Sequence, residues 1–267
     1  MEVELTRLSD TIRRAGARAR ELATLGFEVF TKPDHSPVTT ADLEVNDLLH
    51  EMQRAHFPGD GWLSEESPDD PVRLARPRVW IVDPIDGTKA FVKRLPEFCI
   101  SVALAEQGKP VLAAIFNPST DELFTAVRGR GLFLNGKPIT PASSHDAPAL
   151  VMVSPRELRN GRWAGLDGLV QFRPMLSIAN ALTLVAAGRV HALLTIEPEN
   201  EWDLAAGVLL IEESGGVVAD VEGRPFTFNQ PTPQFEGVIA VAGTAGRELR
   251  PLLQVRADEA RTKPNRS

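Results

Sequence analysis

Trp80-Ile81-Val82-Asp83-Pro84-Ile85-Asp86-Gly87-Thr88 sets two carboxylates three residues apart around a proline, directly behind a run of strand-forming side chains. The apolar residues Val79 to Val82 read as a buried strand, and Pro84 is expected to end its pairing because it lacks a backbone donor and fixes φ. Asp83 and Asp86 would then sit at the strand's end, where hard oxygen ligands can converge on a hard cation such as Mg²⁺. Gly87 and Thr88 open what reads as a helix, and free N–H groups at a helix start favour an anion such as phosphate. Asp, Pro and Gly also make ordinary turns, so this stretch alone leaves a turn and a metal site both open.

Two further acidic clusters bear on that choice. Leu63-Ser64-Glu65-Glu66-Ser67 lies upstream, and Glu201-Trp202-Asp203 lies far downstream, ahead of a helical apolar pattern. Three separated acidic clusters can assemble a two-metal centre. In order, the chain carries Ser36-Pro37-Val38-Thr39-Thr40-Ala41-Asp42, Glu65-Glu66, Asp83 to Thr88 with Phe91, and Glu201-Trp202-Asp203-Leu204-Ala205-Ala206-Gly207 followed by Glu213-Ser214-Gly215-Gly216. On these motifs it resembles the inositol monophosphatase superfamily of Mg²⁺-dependent, lithium-sensitive phosphomonoesterases, which includes CysQ-type bisphosphate nucleotidases. The resemblance covers nearly the whole chain. It implies a layered α-β-α-β-α sandwich, α+β in its first half and α/β in its second, working with two or three Mg²⁺ ions on a small phosphorylated metabolite.

Carried over residue by residue, the resemblance implies Glu65, Asp83 and the backbone carbonyl of Ile85 as ligands of a first metal, and Asp83, Asp86 and Asp203 as ligands of a second. Thr88 and Asp42 match the pair that orients and deprotonates the attacking water, with Glu66 close by. Gly87 and Thr88 would offer N–H groups to the phosphate, and Lys89 and Asp203 would face the substrate. Structural readings stand beside these. Glu66 can be a solvated neighbour of Glu65, Asp203 a helix N-cap before Leu204, and Glu212 and Glu213 exposed side chains at that helix's end. Lys32 matches a family lysine near the metal region, and is equally a solvated loop lysine.

For the substrate, the run Gly87 to Phe98, with Lys89, Lys93 and Arg94, is closer to CysQ-type nucleotidases than to animal inositol monophosphatases. Those three cations could meet a second phosphate, or could be surface charges. Where inositol-specific members carry an acid, an ungapped match places Ile196, with Glu197 adjacent. Met175-Leu176-Ser177 and Ser64 are further departures from the family pattern. The leading expectation is therefore removal of the 3′-phosphate of adenosine 3′,5′-bisphosphate to give AMP. The alternatives are an inositol-1-phosphate or histidinol-phosphate phosphatase and, from another class, a non-catalytic metal- and phosphate-binding protein.

Composition bounds the rest. With 267 residues and 43% hydrophobic content the chain can bury a sizeable core, and its net charge of −7 argues against a nucleic-acid polymer as partner. Cys99, the single cysteine, lies in an apolar run and reads as a buried thiol, which fits a reducing cytoplasm. No export signal or membrane-spanning run is read, and the resemblance, to a family in which dimers are frequent, leaves monomer and homodimer both open. Leu5, Leu8, Ile12, Ala15, Ala19 and Leu22 predict a first helix ending near Gly26; strands are predicted over 98–105, 111–116 and 123–127, and an Asn135-Gly136 hairpin follows. From Ala149 strands and helices alternate, as far as a strand over 237–242. Residues 1–141 thus form an N-terminal half with most metal ligands and 142–267 a C-terminal half contributing Asp203, with an exposed connection over 68–77 and a polar tail from Arg261.

Overall fold

The computed structural model describes residues 1–141 and 148–262. Its first part runs α1 (Glu2–Leu25), β1 (Val29–Thr31), β2 (Pro37–Thr39), α2 (Thr40–His56), β3 (Gly61–Ser64), β4 (Arg78–Asp86), α3 (Thr88–Val92), β5 (Cys99–Glu106), β6 (Lys109–Asn117), β7 (Glu122–Val127), β8 (Leu132–Leu134) and β9 (Lys137–Pro138). The second runs β10 (Ala149–Val153), α4 (Pro155–Arg159), β11 (Val170–Pro174), α5 (Ile178–Ala186), β12 (Ala192–Asn200), α6 (Glu201–Glu213), β13 (Val217–Ala219), β14 (Gln234–Val241) and α7 (Gly243–Thr262).

Spacings of three and four put Leu8, Ile12, Ala15, Ala19 and Leu22 on one face of α1, and Val45, Leu49 and Met52 on one face of α2. Both faces pack with Trp80, Val82, Ile100, Val102, Leu104 and Leu112 of a seven-stranded sheet ordered β3-β4-β5-β6-β7-β8-β9. The alternate residues of the same strands, Val79, Ile81, Ala103, Ala113 and Ile115, join α5 and α6 in a second cluster. A sheet covered on both sides needs apolar residues at every position, which is why Val79 to Val82 shows no polar alternation. The far side of α5 and α6 meets Met152, Leu193, Val238 and Ala240 of a five-stranded sheet ordered β11-β10-β12-β14-β13. That sheet's outer face, with Val151, Val153, Leu194 and Ile239, is closed by Trp163, Leu166 and by Leu253, Ala257 and Ala260 of α7. The layers are helix, sheet, helix, sheet, helix, the sandwich expected from the motifs. The second cluster takes residues from before and after position 141. The division between 141 and 142 itself adjoins residues 142–147, outside the described residues.

Helix α6 is buried almost all round because sheets lie on both sides of its layer. It runs close to α5 through Gly207, where an added Cβ would lie 2.4 Å from Leu182 Cδ1 and 2.7 Å from Leu182 Cβ. The hairpin at Asn135-Gly136 has φ 49° and 76°, the positive pair that its tight turn requires. Two expectations are corrected. The 68–77 connection contains a 3₁₀ turn over Pro71–Ala75 and buries Arg73 at 2% exposure, so it is not simply exposed. Helix α7 follows the last predicted strand, and the tail read from Arg261 begins inside it; residues 263–267 lie outside the described residues. No helix among the described residues is long and apolar enough to cross a membrane.

Gly207→Ala should destabilise the protein by roughly 1–2 kcal/mol, because overpacking a tight helix contact outweighs the propensity gained by replacing a helical glycine. Urea denaturation checks this; an unchanged or raised midpoint would show that the helices have room to separate.

Candidate active site

Strand β4 does not end at Pro84. It runs to Asp86, and its register against β5 shifts between Asp83↔Ser101 and Asp86↔Cys99, so three steps on β4 oppose two on β5. In a regular strand residues three apart point to opposite faces; the extra residue of a bulge restores Asp86 to the side of Asp83. Pro84, which has no N–H to pair, is tolerated at such a position. Among the described residues the carboxylate oxygens of Asp83, Asp86 and Asp203 lie within 4.8 Å of one another.

Each is held from a different element. Asp86 Oδ2 accepts hydrogen bonds from the Ser177 hydroxyl and from Ala179 N at 2.6 Å, at the start of α5. Asp203 is the third residue of α6, where Asn200 N donates to its Oδ2 at 2.8 Å. The expectation of Asp203 as N-cap is corrected: Asn200 is the cap, and α6 starts at Glu201 instead of Leu204. Asp83 is 1% exposed, and its Oδ1 has no hydrogen-bond partner.

Around this trio the other expected residues fall as follows. Glu65 follows β3, its N–H donating to Val82 O at 3.2 Å, and Lys32 Nζ donates to Glu65 Oε1 at 2.7 Å and to Glu66 Oε1 at 2.6 Å. Thr88 Oγ1 lies 3.0 Å from Asp42 Oδ1 and 3.1 Å from the Ile85 carbonyl oxygen. Thr39 N–H and hydroxyl occupy Asp42 Oδ2, so a capping box at the start of α2 fixes the carboxylate and leaves Oδ1 for Thr88. Gly87 has φ 90°, and a Cβ there would come within 2.9 Å of Glu97 O and 3.0 Å of Ser177 Cβ, so this corner admits only glycine.

Lys89, Lys93 and Arg94 are exposed. Ile196 packs into the outer cluster, and Glu197 accepts the Ser154 hydroxyl at 2.7 Å with Arg156 at 3.5 Å. The acid that the sequence reading missed is Glu199, half-buried and near enough to Asp203 and Asp86 for their charges, after burial itself, to hold it well above the usual carboxylate range. Regular alternation would place Glu197 and Glu199 on one face; with a register shift in β12 between Thr195 and Pro198, the two have different surroundings. Glu212 is exposed as expected, but Glu213 is half-buried and accepts the N–H groups of Gly129 and Gly131 at 2.8 Å each.

Negative charge accumulates here beyond what the neighbours offset. Burial first, then Glu65, Asp86, Asp203 and Asp42, push Asp83 well above its ordinary range; burial with Asp86 and Glu65 does the same to Asp203. Burial lifts Asp86 to about 6 against its hydrogen bonds, and Glu66 to about 7 against Lys32. Lys32 is raised: burial opposes this, and Glu65 and Glu66 override it. An orphaned buried oxygen among crowded carboxylates fits a hard divalent cation, whose oxygen ligands are of this kind.

Such a donor set beside a fixed hydroxyl–carboxylate pair defines a metal-dependent hydrolase. The profile of the inositol monophosphatase family matches residues 3–253. Inositol monophosphatase 2 of Solanum lycopersicum is 34% identical over 235 residues, 81% of this chain and 88% of that protein. The inositol-1-monophosphatase of Bacillus subtilis (strain 168) is 33% identical over 226 residues, 81% and 85%. The solved Thermotoga maritima IMPase superposes with a TM-score of 0.83 over 97% of each chain at 26% identity. The chain belongs to the inositol monophosphatase family, whose members are Mg²⁺-dependent phosphatases.

Raised carboxylates make the metal-free fold sensitive to pH. Asp86 (about 6, ordinarily 3.8) and Glu66, Glu157 and Glu201 (each about 7, ordinarily 4.5) bind protons more tightly folded than unfolded. Their contribution is complete below the ordinary values and is lost as pH rises through about 6–7. In EDTA the melting temperature should therefore fall from pH 5 to pH 8, and Mg²⁺ should raise it more at pH 8, where the clustered carboxylates are deprotonated. Melting curves that rise with pH in EDTA would contradict this electrostatic account.

Proposed function

We propose that this protein hydrolyses a small phosphomonoester, with Glu65, Asp83 and the Ile85 carbonyl holding one Mg²⁺, Asp83, Asp86 and Asp203 a second, and room left open for a third. The observation that carries this reading is Asp83 Oδ1, buried without a partner among carboxylates within 4.8 Å of one another. Bound Mg²⁺ would supply positive charge for the phosphoryl oxygens and make its water acidic enough to attack near neutral pH. The chain's own proton acceptor is the Thr88–Asp42 pair. A threonine hydroxyl has one proton to give; donated to Asp42 Oδ1, it leaves a lone pair on Oγ1 for the proton of an incoming water. Glu66, on the Lys32 ammonium, flanks the same region. Gly87 and Thr88 would carry phosphate oxygens on their N–H groups.

For the substrate we place a polyol phosphate, inositol 1-phosphate, ahead of the adenosine bisphosphate. The plant and Bacillus relatives are named for inositol monophosphatase activity, and Glu199 offers carboxylate oxygens to hydroxyl groups on the Asp203 side. The nucleotidase reading keeps one specific support: Lys89, Lys93 and Arg94, exposed beyond Thr88, are cations suited to a second phosphate. A homodimer acting in the cytoplasm, without nucleic-acid or membrane partners, completes the reading.

Phosphate release with Mg²⁺, with and without lithium, should be measured on inositol 1-phosphate, adenosine 3′,5′-bisphosphate and histidinol phosphate. Lithium-inhibited turnover is expected, with inositol 1-phosphate preferred. Asp86→Asn should lower kcat more than about 100-fold, and Glu199→Gln should raise KM for the polyol with little change for the bisphosphate. Preference for the bisphosphate, with KM raised by Lys93→Ala, would install the nucleotidase reading. No phosphate from any of them would favour a binding protein.

A further inference from the structure

Arg73 is 2% exposed and Glu201 is fully buried, yet neither is a residue to which the proposed chemistry assigns a role. They are joined through one loop. The Glu201 carboxylate accepts Asn229 N at 2.6 Å on Oε2 and Gln230 N at 2.7 Å on Oε1. Arg73 donates to Asn229 Oδ1 at 2.7 Å and to Gln230 O at 3.0 Å, and Asn229 Nδ2 donates back to the Arg73 carbonyl at 3.2 Å. Asp69 accepts two more bonds from the same guanidinium, at 2.6 and 2.9 Å. Asn229 sits at φ 61°, a left-handed conformation in which asparagine is among the better-tolerated side chains.

The two ends of this chain of contacts matter. Asp69 and Arg73 follow directly on the Glu65–Glu66 segment, and Glu201 lies in the first turn of α6, two residues before Asp203. Buried charged networks seldom add net stability over apolar packing of the same volume, so their physical yield is a fixed geometry. We infer that Arg73, Asn229 and Glu201 form a strut of positioning residues that sets the distance between the Glu65–Glu66 segment and Asp203, and thereby the affinity of the site for its divalent ions. The inference rests on the reading of Glu65 and Asp203 as metal ligands.

Two variants test it. Asn229→Gly removes the side chain while tolerating the positive φ, and Arg73→Met removes the guanidinium in favour of an apolar side chain, leaving Asp69 able to meet solvent. Titration of the full-length protein with Mg²⁺ alone, by calorimetry, should show the dissociation constant rising about tenfold in each, the scale seen when groups that orient metal ligands are lost. With saturating Mg²⁺, kcat should stay within about twofold of the unaltered protein. A lowered melting temperature with an unchanged Mg²⁺ dissociation constant would overturn the strut and leave a merely structural network. If the unaltered protein binds Mg²⁺ in this variant-sensitive way but releases no phosphate, the strut stands and the phosphatase reading fails. No Mg²⁺ binding by the unaltered protein would sink both.

Discussion

Carboxylates confined to a buried space repel one another, and the arrangement around Asp83 holds them together in spite of it. At 4 Å two unit charges cost about 4 kcal/mol against each other in surroundings of intermediate polarity. Asp83, Asp86 and Asp203 would separate if they were free to do so. None is free: Asp83 is fixed within β4, Asp86 by a bulge and two donors from the start of α5, and Asp203 by the capping box of α6. Repulsion that cannot relax becomes affinity for a divalent ion, and in the metal-free chain it becomes affinity for protons.

That rigidity comes from the middle layer of the sandwich. Helices α5 and α6 stand between both sheets, and their first turns supply the donors to Asp86 and the carboxylate of Asp203. A shift of α6 along its axis would carry Asp203 away from Asp83, and the close contact at Gly207 opposes such sliding. Packing in the core and spacing in the site are therefore one constraint viewed at two scales. Lys32 acts from the opposite side: it reaches Glu65 and Glu66 from the turn between β1 and β2, so a positive charge already rests on the segment where the resemblance places a first metal.

Much of this could be read from residue order, and what could not has physical causes. The apolar periodicity of α1, the buried run of β4 and the Asn135-Gly136 turn are local signals, and the structure follows them. Pro84 misled because the absence of an N–H is equally compatible with a strand end and with a bulge; pairing partners far along the chain decide between them. The apolar pattern points to Leu204 as the start of α6 because Glu201 and Trp202 carry no cap signature; the start at Glu201 is set by the reciprocal bonds of Asn200 and Asp203. Arg73 read as a loop cation because its partners, Asn229 and Gln230, lie more than 150 residues away. Helix α7 buries only Gly246, Leu253, Ala257 and Ala260, with Pro251 in its course, too sparse a stripe to stand out.

Glu199 illustrates how a small irregularity arranges one wall of the acidic cluster. In an unbroken strand, alternation would put Glu197 and Glu199 on one face and Ile196 on the other. With the register shift in β12, Ile196 joins the outer core, Glu197 is taken up by Ser154 and Arg156, and Glu199 stays by Asp203 and Asp86. Burial and the charges of Asp203 and Asp86 hold Glu199 well above the usual carboxylate range, so its proton is bound more tightly than that of an isolated glutamate. One bulge therefore decides which acid of this strand borders Asp203 and Asp86 and which is taken up by Ser154.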